Sequence, residues 1–195
     1  MSGTLPAALH VALPGWLTEL VCPPLPGLPE RMAFVIEVSR RNVLAGSGGP
    51  FAAAVFEMAS GKLLAVGTNL VVASHCSAAH AEVLALSLAQ QALGSFDLSA
   101  PGLPACELVS SCEPCAMCLG AVAWSGVRRL VYTAREADAR AIGFDEGPKH
   151  PDWAGELRRR GIEVMQGPLR SVAVAVLESY RVAGGPIYNG CARSP

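Results

Sequence analysis

The stretch Ser110-Ser111-Cys112-Glu113-Pro114-Cys115-Ala116-Met117-Cys118-Leu119-Gly120 gathers three cysteines around one proline. Proline is well tolerated at the first position of a helix, so a helix is predicted to begin here with Cys115 and Cys118 on one face. At ~100° per residue, a step of three residues brings two side chains to within about 60° of each other. The positive end of the helix dipole favours the thiolate form that binds metal. This pattern predicts half of a zinc site.

The sequence Ala79-His80-Ala81-Glu82 is the candidate for the other half, at the start of an apolar helix predicted from about Ala78 to Leu93. Interior helix positions i and i+2 point roughly 200° apart, so His80 and Glu82 can serve one site only if it lies off the start of this helix. His75 is a rival metal ligand, but it precedes the helix and lacks a glutamate two residues later.

Two other interpretations of the cysteines were open. Cysteine pairs also occur as small buried hydrophobes, although the order of a His-x-Glu motif followed by Pro-Cys-x-x-Cys favours metal binding. Cys112 forms a second CxxC with Cys115, like the start of a ferredoxin cluster sequence, but Val122 stands where the next ligand would be. Cys112 is therefore predicted to be a buried neighbour of the site and not a ligand.

Length and composition limit the class of protein. The 195 residues are enough for one α/β domain, and with 51% hydrophobic but only 6% aromatic residues, alanine, valine and leucine must fill its core. A formal net charge of −1 weighs mildly against a nucleic-acid partner. Seven cysteines cannot all pair within one chain, which favours a reducing compartment. No stretch approaches the ~18 uninterrupted apolar residues of a membrane span. We therefore expect a soluble, cytoplasmic protein that binds neither nucleic acid nor membrane.

Three parts are predicted along the chain: a proline-rich N-terminal arm over residues 1–29, a domain over residues 30–183 and a C-terminal tail over residues 184–195. The predicted strands are Phe51–Met58, Lys62–Asn69, Cys106–Ser110, Val127–Thr133 and Ile162–Gln166. The predicted helices are Glu30–Leu44, Ala78–Leu93, Cys115–Trp124, Arg135–Ala141, Trp153–Arg160 and Pro168–Ala183. The first two strands are typical of a hairpin. The later alternation of strands and helices predicts an α/β fold with at least partly parallel pairing.

With its motifs placed, the chain resembles the superfamily of cytidine and nucleoside deaminases, whose signature is H-x-E followed by P-C-x-x-C. Within that superfamily it is similar to the bacterial guanine deaminases, on the block Ile142-Gly143-Phe144-Asp145-Glu146 and on Trp124. The resemblance runs from about Gly48 to Phe144. It implies a three-layer α/β/α sandwich around a five-stranded mixed sheet, and a homodimer. In some members of the family the C-terminal segment is exchanged between subunits.

The resemblance also implies a role for each matching residue. One zinc ion per chain would be held by His80, Cys115 and Cys118. Glu82 would carry the proton, with Glu146, or Asp145 beside it, as a second carboxylate near the amino group of the base. The implied substrate-binding residues are Asn69, Phe51, Trp124, Asp145 and Tyr188, the last from a tail that folds over the site. Without the resemblance, Asn69 could be an ordinary turn residue, Trp124 a core residue and the tail a frayed terminus.

The activity implied is zinc-dependent hydrolysis of guanine to xanthine and ammonia, with a small purine base and water as partners. Deaminases of another free base or ring amine, such as cytosine or ammeline, or of a nucleoside, share the same motifs. A tRNA adenosine deaminase would be expected to carry a basic binding face, which the net charge of −1 does not favour. A purely structural zinc module would have no use for Glu82. The stretch Cys76-Ser77-Ala78 departs from the family pattern.

Overall fold

The structure, a computed structural model, describes residues 7–189; the two ends of the chain, including Cys191 in the predicted tail, lie outside the described residues. Its strands are β1 (Ala52–Glu57), β2 (Leu63–Thr68), β3 (Cys106–Cys112), β4 (Arg129–Ala134) and β5 (Glu163–Gln166). Its helices are α1 (Gly15–Thr18), α2 (Leu28–Leu44), α3 (Val71–Ser74), α4 (Ala81–Leu93), α5 (Ala116–Ser125), α6 (Glu136–Ala141), α7 (Trp153–Arg159) and α8 (Arg170–Val182).

The five strands form one mixed sheet in the order β2-β1-β3-β4-β5. Strand β1 pairs antiparallel with β2 and with β3, whereas β3 with β4 and β4 with β5 are parallel. The predicted five-stranded mixed sheet is thereby confirmed. Because β3 and β4 are parallel, their carboxyl ends meet at one edge of the sheet, where the loops to α5 and α6 begin.

Helices cover both faces of the sheet. Side chains of α2 and α8 pack on one face against alternate residues of β1 such as Ala52 and Ala54, in one buried cluster. Side chains of α4, α5 and α7 pack on the other face against Ala53 and Val55, in a second cluster. Alternate residues of a strand point to opposite faces, so β1 contributes to both cores. The predicted three-layer α/β/α sandwich is confirmed.

The small residues of the first hairpin let α4 approach the sheet closely. A Cβ atom on Gly67 of β2 would lie 2.3 Å from the carbonyl oxygen of Ala81, far inside van der Waals contact. Any larger residue at Gly67 would therefore push away the first turn of α4. This close approach fixes the helix end that carries His80 and Glu82.

Helix α4 begins at Ala81, not at the predicted Ala78. His80 has an extended backbone (φ −76°, ψ 152°) and occupies the N-cap position, and its carbonyl oxygen accepts the N–H of Leu84 at 3.0 Å. The preceding residues form a separate short helix, α3, which ends at His75 in a left-handed conformation (φ 51°). The hydrophobic pattern runs on through residues 78–80 and could not reveal this break.

The described part of the N-terminal arm lies against the domain. Leu17 is 3% exposed and belongs to the core cluster of α2 and α8. The indole N–H of Trp16 donates to the Ser47 hydroxyl at 3.1 Å. The division of the chain into arm, domain and tail stays a prediction. Among residues 7–189, no helix combines the length and the apolar character needed to cross a membrane.

Candidate metal centre

The predicted ligands meet where the N-termini of two helices converge. His80 is the N-cap of α4 and Cys115 the N-cap of α5, while Cys118 lies one turn into α5. The His80 Nδ1 atom is 3.5 Å from the Cys115 sulfur and 3.6 Å from the Cys118 sulfur. One ligand atom from each of the three residues lies within 4.8 Å of the other two. The fold therefore brings His80 to two cysteines that lie 35 and 38 positions away in the chain, as the sequence predicts.

This cluster fits a zinc ion. Zinc–sulfur bonds of about 2.3 Å and zinc–nitrogen bonds of about 2.0 Å at a tetrahedral angle place the sulfur and nitrogen atoms about 3.5 Å apart. The observed separations of 3.5 and 3.6 Å match that spacing. Two sulfurs and one imidazole nitrogen form a donor set that zinc prefers, and three protein ligands are typical of catalytic zinc sites.

The thiols are held in a setting that favours a thiolate. Hydrogen bonding from Cys118 and then from His80 lowers the pKa of Cys115 to about 4, against the opposing effect of burial. The hydrogen bond to Cys115, together with burial, raises the pKa of Cys118. Cys115 is therefore the thiol that loses its proton first, and Cys118 keeps its proton. Binding of a divalent cation to both sulfurs would release the proton of Cys118.

Glu82 lies in the first turn of α4, beside the cluster, and is 6% exposed. Its Oε1 atom accepts the hydroxyl of Ser110 at 3.1 Å, and its Oε2 atom lies 3.3 Å from the Cys118 sulfur. Burial is the main reason that the pKa of Glu82 is raised, and the negative charge of Cys115 adds to it. A carboxyl group whose pKa is raised by burial binds a proton more readily than an exposed one, which suits a proton carrier.

The ligand cluster forms the floor of a cavity of about 510 Å³. The predicted residues that line it are Phe51, Asn69, His80, Glu82, Cys115, Asp145, Glu146 and Tyr188. Cys112 also lines the cavity without joining the ligand cluster, and its sulfur contacts the carbonyl of Arg135 at 3.7 Å. The volume suits a ligand the size of a single base.

Two acidic residues reach the cavity from the segment after α6, but in different settings. Glu146 is 6% exposed, and burial followed by the negative charge of Cys115 raises its pKa to about 8. The backbone N–H of Ala116 donates to the Glu146 carbonyl at 3.0 Å, which joins this segment to the start of α5. Asp145 is largely exposed and lies 3.6 Å from Arg140. Glu146 is therefore the carboxyl group set inside the pocket.

The described part of the tail lies across the cavity. The Asn69 amide donates to the hydroxyl of Tyr188, whose ring packs edge-on against Phe144 at a centroid distance of 5.2 Å. Asn189 accepts the N–H of Asp145 at 2.8 Å and donates to the carbonyl of Gly143 at 2.9 Å. Through these contacts Tyr188 and Asn189 form part of the cavity wall, and Tyr188 lies directly against Asn69.

The structure does not bring Trp124 into this pocket. Its side chain is 81% exposed on the outer face of α5, so the pocket role implied by the resemblance is not seen within one chain. The alternative of a core residue is contradicted as well. Met117, two turns earlier on the same helix, is also exposed, at 41%.

Sequence reasoning missed three residues that hold the site together: Ser110, Lys149 and Asn189. Ser110 was assigned simply to a buried strand, and Lys149 to an acidic loop. Both act by pairing with residues that are distant in the chain, which no local pattern reveals. A pair of serines near the end of a predicted buried strand, directly before a metal motif, is the one signal that could have drawn attention to Ser110.

Comparison with known proteins agrees with this geometry. A family model described as the cytidine and deoxycytidylate deaminase zinc-binding region matches residues 29–134, a little over half of the chain. A guanine deaminase of Bacillus subtilis is 40% identical over 111 residues, which are 57% of this chain and 67% of that protein.

Solved structures extend the similarity to nearly the whole chain. The guanine deaminase from Nitrosomonas europaea is 55% identical with a TM-score of 0.88, over 92% of this chain and 100% of that one. A second solved structure, a complex with 2,6-diaminopurine, is 57% identical with a TM-score of 0.88. It covers 93% of this chain and 97% of its own.

Proposed function

The chain belongs to the family of cytidine and deoxycytidylate deaminases, and on that premise we propose that it is a zinc-dependent enzyme that hydrolyses guanine to xanthine and ammonia. The membership inferred from the motifs is thereby confirmed, as is the similarity to bacterial guanine deaminases. One observation carries the proposal. A buried carboxyl group, Glu82, lies beside a His/Cys/Cys cluster at the floor of a base-sized cavity.

Zinc would be held by His80, Cys115 and Cys118. When bound, it supplies a water molecule whose pKa is lowered from ~15.7 to about 7. The N-termini of α4 and α5 both point at this position, so their positive dipole ends favour the developing negative charge. The three ligands come from two helices that are fixed on the same face of the sheet, which keeps the site rigid.

Glu82 moves the protons. It takes a proton from the attacking water as the oxygen bonds to C2 of guanine, and it then delivers that proton to a ring nitrogen. The remaining proton of the attacking water is then transferred to the amino group, the bond between C2 and that nitrogen breaks, and ammonia leaves. Burial raises the pKa of Glu82 above that of an exposed glutamate, which makes its carboxylate a better acceptor for the proton of the water. Ser110 donates to Oε1 and so fixes the direction of the carboxyl group.

Asn69 and Glu146 recognise the base. The Asn69 side chain offers a donor and an acceptor, which suits the O6 and N7 edge of a purine. Glu146 faces the amidine edge, where it holds or assists the amino group that leaves. The related complex with 2,6-diaminopurine supports this purine assignment, since that base also carries an amino group on C2. Phe51 and Phe144 contact each other edge-on at 5.0 Å and supply the apolar wall.

A panel of substrates tests this function. Ammonia release is measured with guanine, cytosine, ammeline, guanosine and a tRNA, at equal concentration and with zinc-loaded protein. Guanine is expected to react fastest, and guanosine far more slowly because Tyr188 and Asn189 cover the pocket. Faster release from tRNA or cytosine than from guanine would replace this proposal with one of the other deaminase activities.

A cytoplasmic homodimer is part of the proposal. Zinc binding needs reduced Cys115 and Cys118, which a reducing compartment maintains.

Met117 and Trp124 form an exposed apolar stripe on α5, next to the pocket. A second copy of the chain would cover that stripe and could bring Trp124 to a neighbouring site. Light scattering should give twice the mass of the chain, and Trp124→Glu should shift it toward the monomer; a monomeric wild type would refute the dimer.

A further inference from the structure

The second lysine of the chain, Lys149, is withdrawn from water. Its side chain is 4% exposed, although lysines usually extend the ammonium group into solvent. The ammonium lies 2.8 Å from a carboxylate oxygen of Glu113, 2.9 Å from one of Glu136 and 3.2 Å from the carbonyl of Pro114. All three of its N–H donors thus have a partner, which offsets the cost of burying the charge.

These partners belong to the frame around the metal ligands. Glu113 and Pro114 directly precede Cys115. The backbone N–H of Glu113 donates to the carbonyl of Ala134 at 2.8 Å, and the N–H of Glu136 donates to the Glu113 carboxylate at 3.3 Å. The end of β3, the end of β4 and the start of α6 are therefore already joined. The ammonium group of Lys149 binds to Glu113, Pro114 and Glu136, which belong to these joined segments.

The segment that carries Lys149 also carries Glu146, three residues earlier. Residues 144–150 contain neither helix nor strand, so a regular backbone ladder does not fix them. Two hydrogen bonds to backbone carbonyls hold the segment near Glu146: the backbone N–H of Ala116 donates to the Glu146 carbonyl at 3.0 Å, and the guanidinium of Arg140 donates to the Gly147 carbonyl at 3.3 Å. Lys149 adds a charged anchor three residues after Glu146. The segment is thus attached through the carbonyls of Glu146 and Gly147 and through the ammonium group of Lys149.

We propose that Lys149 is a positioning residue, which holds the segment of Glu146 against the metal-ligand frame so that the Glu146 carboxyl group stays aimed into the pocket. The inference rests on the proposed function, in which Glu146 binds the amino group of the base. Misplacing such a group by about 1 Å can cost ~10²-fold in rate. Lys149 itself is not among the residues that line the cavity, so its role would be exercised through Glu146.

The charge of Lys149 is maintained by its surroundings. Burial acts to lower its pKa, but the hydrogen bonds and negative charges of Glu113 and Glu136 outweigh that effect, and the pKa of Lys149 is raised. The ammonium also lies 6.0 Å from the centre of the Trp153 ring, which adds a cation–π contact. The anchor therefore persists over the whole pH range in which the enzyme would work.

A double-mutant cycle separates positioning from general stabilisation. Lys149→Met and Glu146→Gln are made singly and together, with zinc content and kcat/KM for guanine measured for each. Lys62→Met is the matched control, because Lys62 is the chain's other lysine and is exposed at the first hairpin. If Lys149→Met does not give folded protein, Lys149→Gln, which keeps N–H donors but loses the charge, takes its place in the cycle.

In the wild-type background, Lys149→Met is expected to lower kcat/KM by roughly 10- to 100-fold with zinc retained, while Lys62→Met changes it by less than about twofold. In the Glu146→Gln background the same change should cost less than about threefold, since the group to be positioned is gone. Equal losses in both backgrounds, loss of zinc, or unchanged kinetics would each overturn the inference. The proposed function fails separately, if the wild type does not deaminate guanine.

Discussion

The hydroxyl of Ser110, two residues before the end of β3, lies 3.1 Å from the Oε1 atom of Glu82 in the first turn of α4. This bond crosses from the central sheet to the helix layer, and both residues are buried. It ties the direction of the proton-carrying carboxyl group to the most buried strand of the fold. Neither residue could move without disturbing the metal ligands beside it.

Ser110→Ala should therefore slow the reaction without emptying the metal site. A hydrogen bond to a charged group contributes about 1.5–3 kcal/mol, which corresponds to a fall in kcat of roughly 10- to 100-fold. Ser111→Ala is the matched control: its hydroxyl accepts the N–H of Ala52 at 3.1 Å instead of contacting Glu82. Equal kcat values for the two variants would remove Ser110 from the mechanism.

Cys115→Ala should lose most of the zinc, because two ligands on separate helices hold a metal far less tightly than three. Zinc is measured by elemental analysis of purified protein, where the wild type should carry close to one equivalent per chain. Cys112→Ala removes a buried thiol from the same pocket and should retain the metal. The assignment of ligands is wrong if Cys112→Ala empties the site and Cys115→Ala does not.

Truncation after Ala183 should abolish most guanine turnover while zinc content and melting temperature stay largely unchanged. The described tail adds Tyr188 and Asn189 to the pocket wall, and the hydroxyl of Tyr180 anchors it by donating to the Pro186 carbonyl at 2.7 Å. Lids of this kind exclude water and complete the site. Unchanged kcat/KM in the truncated protein would show that the tail is dispensable.

Asp138 should make stability depend on pH at the acid end. The carboxylate of Asp138 accepts hydrogen bonds from the guanidinium of Arg170 and, at 2.8 Å, from the backbone N–H of Arg135. Burial acts to raise the pKa of Asp138, but these contacts outweigh it and lower the pKa below 3.8. A carboxyl group whose pKa is lower in the folded state than in the unfolded state stabilises the fold. This contribution is complete at a pH above the unfolded-state pKa and is lost as the pH falls through the folded-state pKa.

Asp138→Asn is therefore expected to cost about 1–2 kcal/mol near pH 7 and progressively less below about pH 3.8. Urea unfolding of both proteins between pH 2.5 and 7 measures the difference. Two curves that stay parallel across that range would show that the Asp138 carboxylate makes no pH-dependent contribution.

Much of the site could be predicted from the sequence because its chemistry is local. Pro114, Cys115 and Cys118 fall within five residues, and His80 and Glu82 lie two residues apart. Strand β1 could be recognised because it is short, apolar and bounded by turns. Those features depend on neighbours in the chain, which a pattern can detect.

The rest depends on contacts between distant segments. Lys149 meets Glu113 across 36 positions and Asn69 meets Tyr188 across 119, so no window of sequence contains either pair. Trp124 depends on such contacts as well. Its side chain is 81% exposed on the outer face of α5 within one chain, so the pocket role that the resemblance implies stays a prediction that depends on a second copy of the chain.

The most direct test of the account is the rate of xanthine formation from guanine by Glu82→Gln compared with the wild type, both loaded with zinc. Glutamine keeps the size and the hydrogen bond from Ser110 but cannot carry a proton. The account predicts a folded variant with close to one zinc per chain and a kcat lowered by roughly 10²-fold or more. Wild-type kcat in the zinc-loaded Glu82→Gln variant would contradict it.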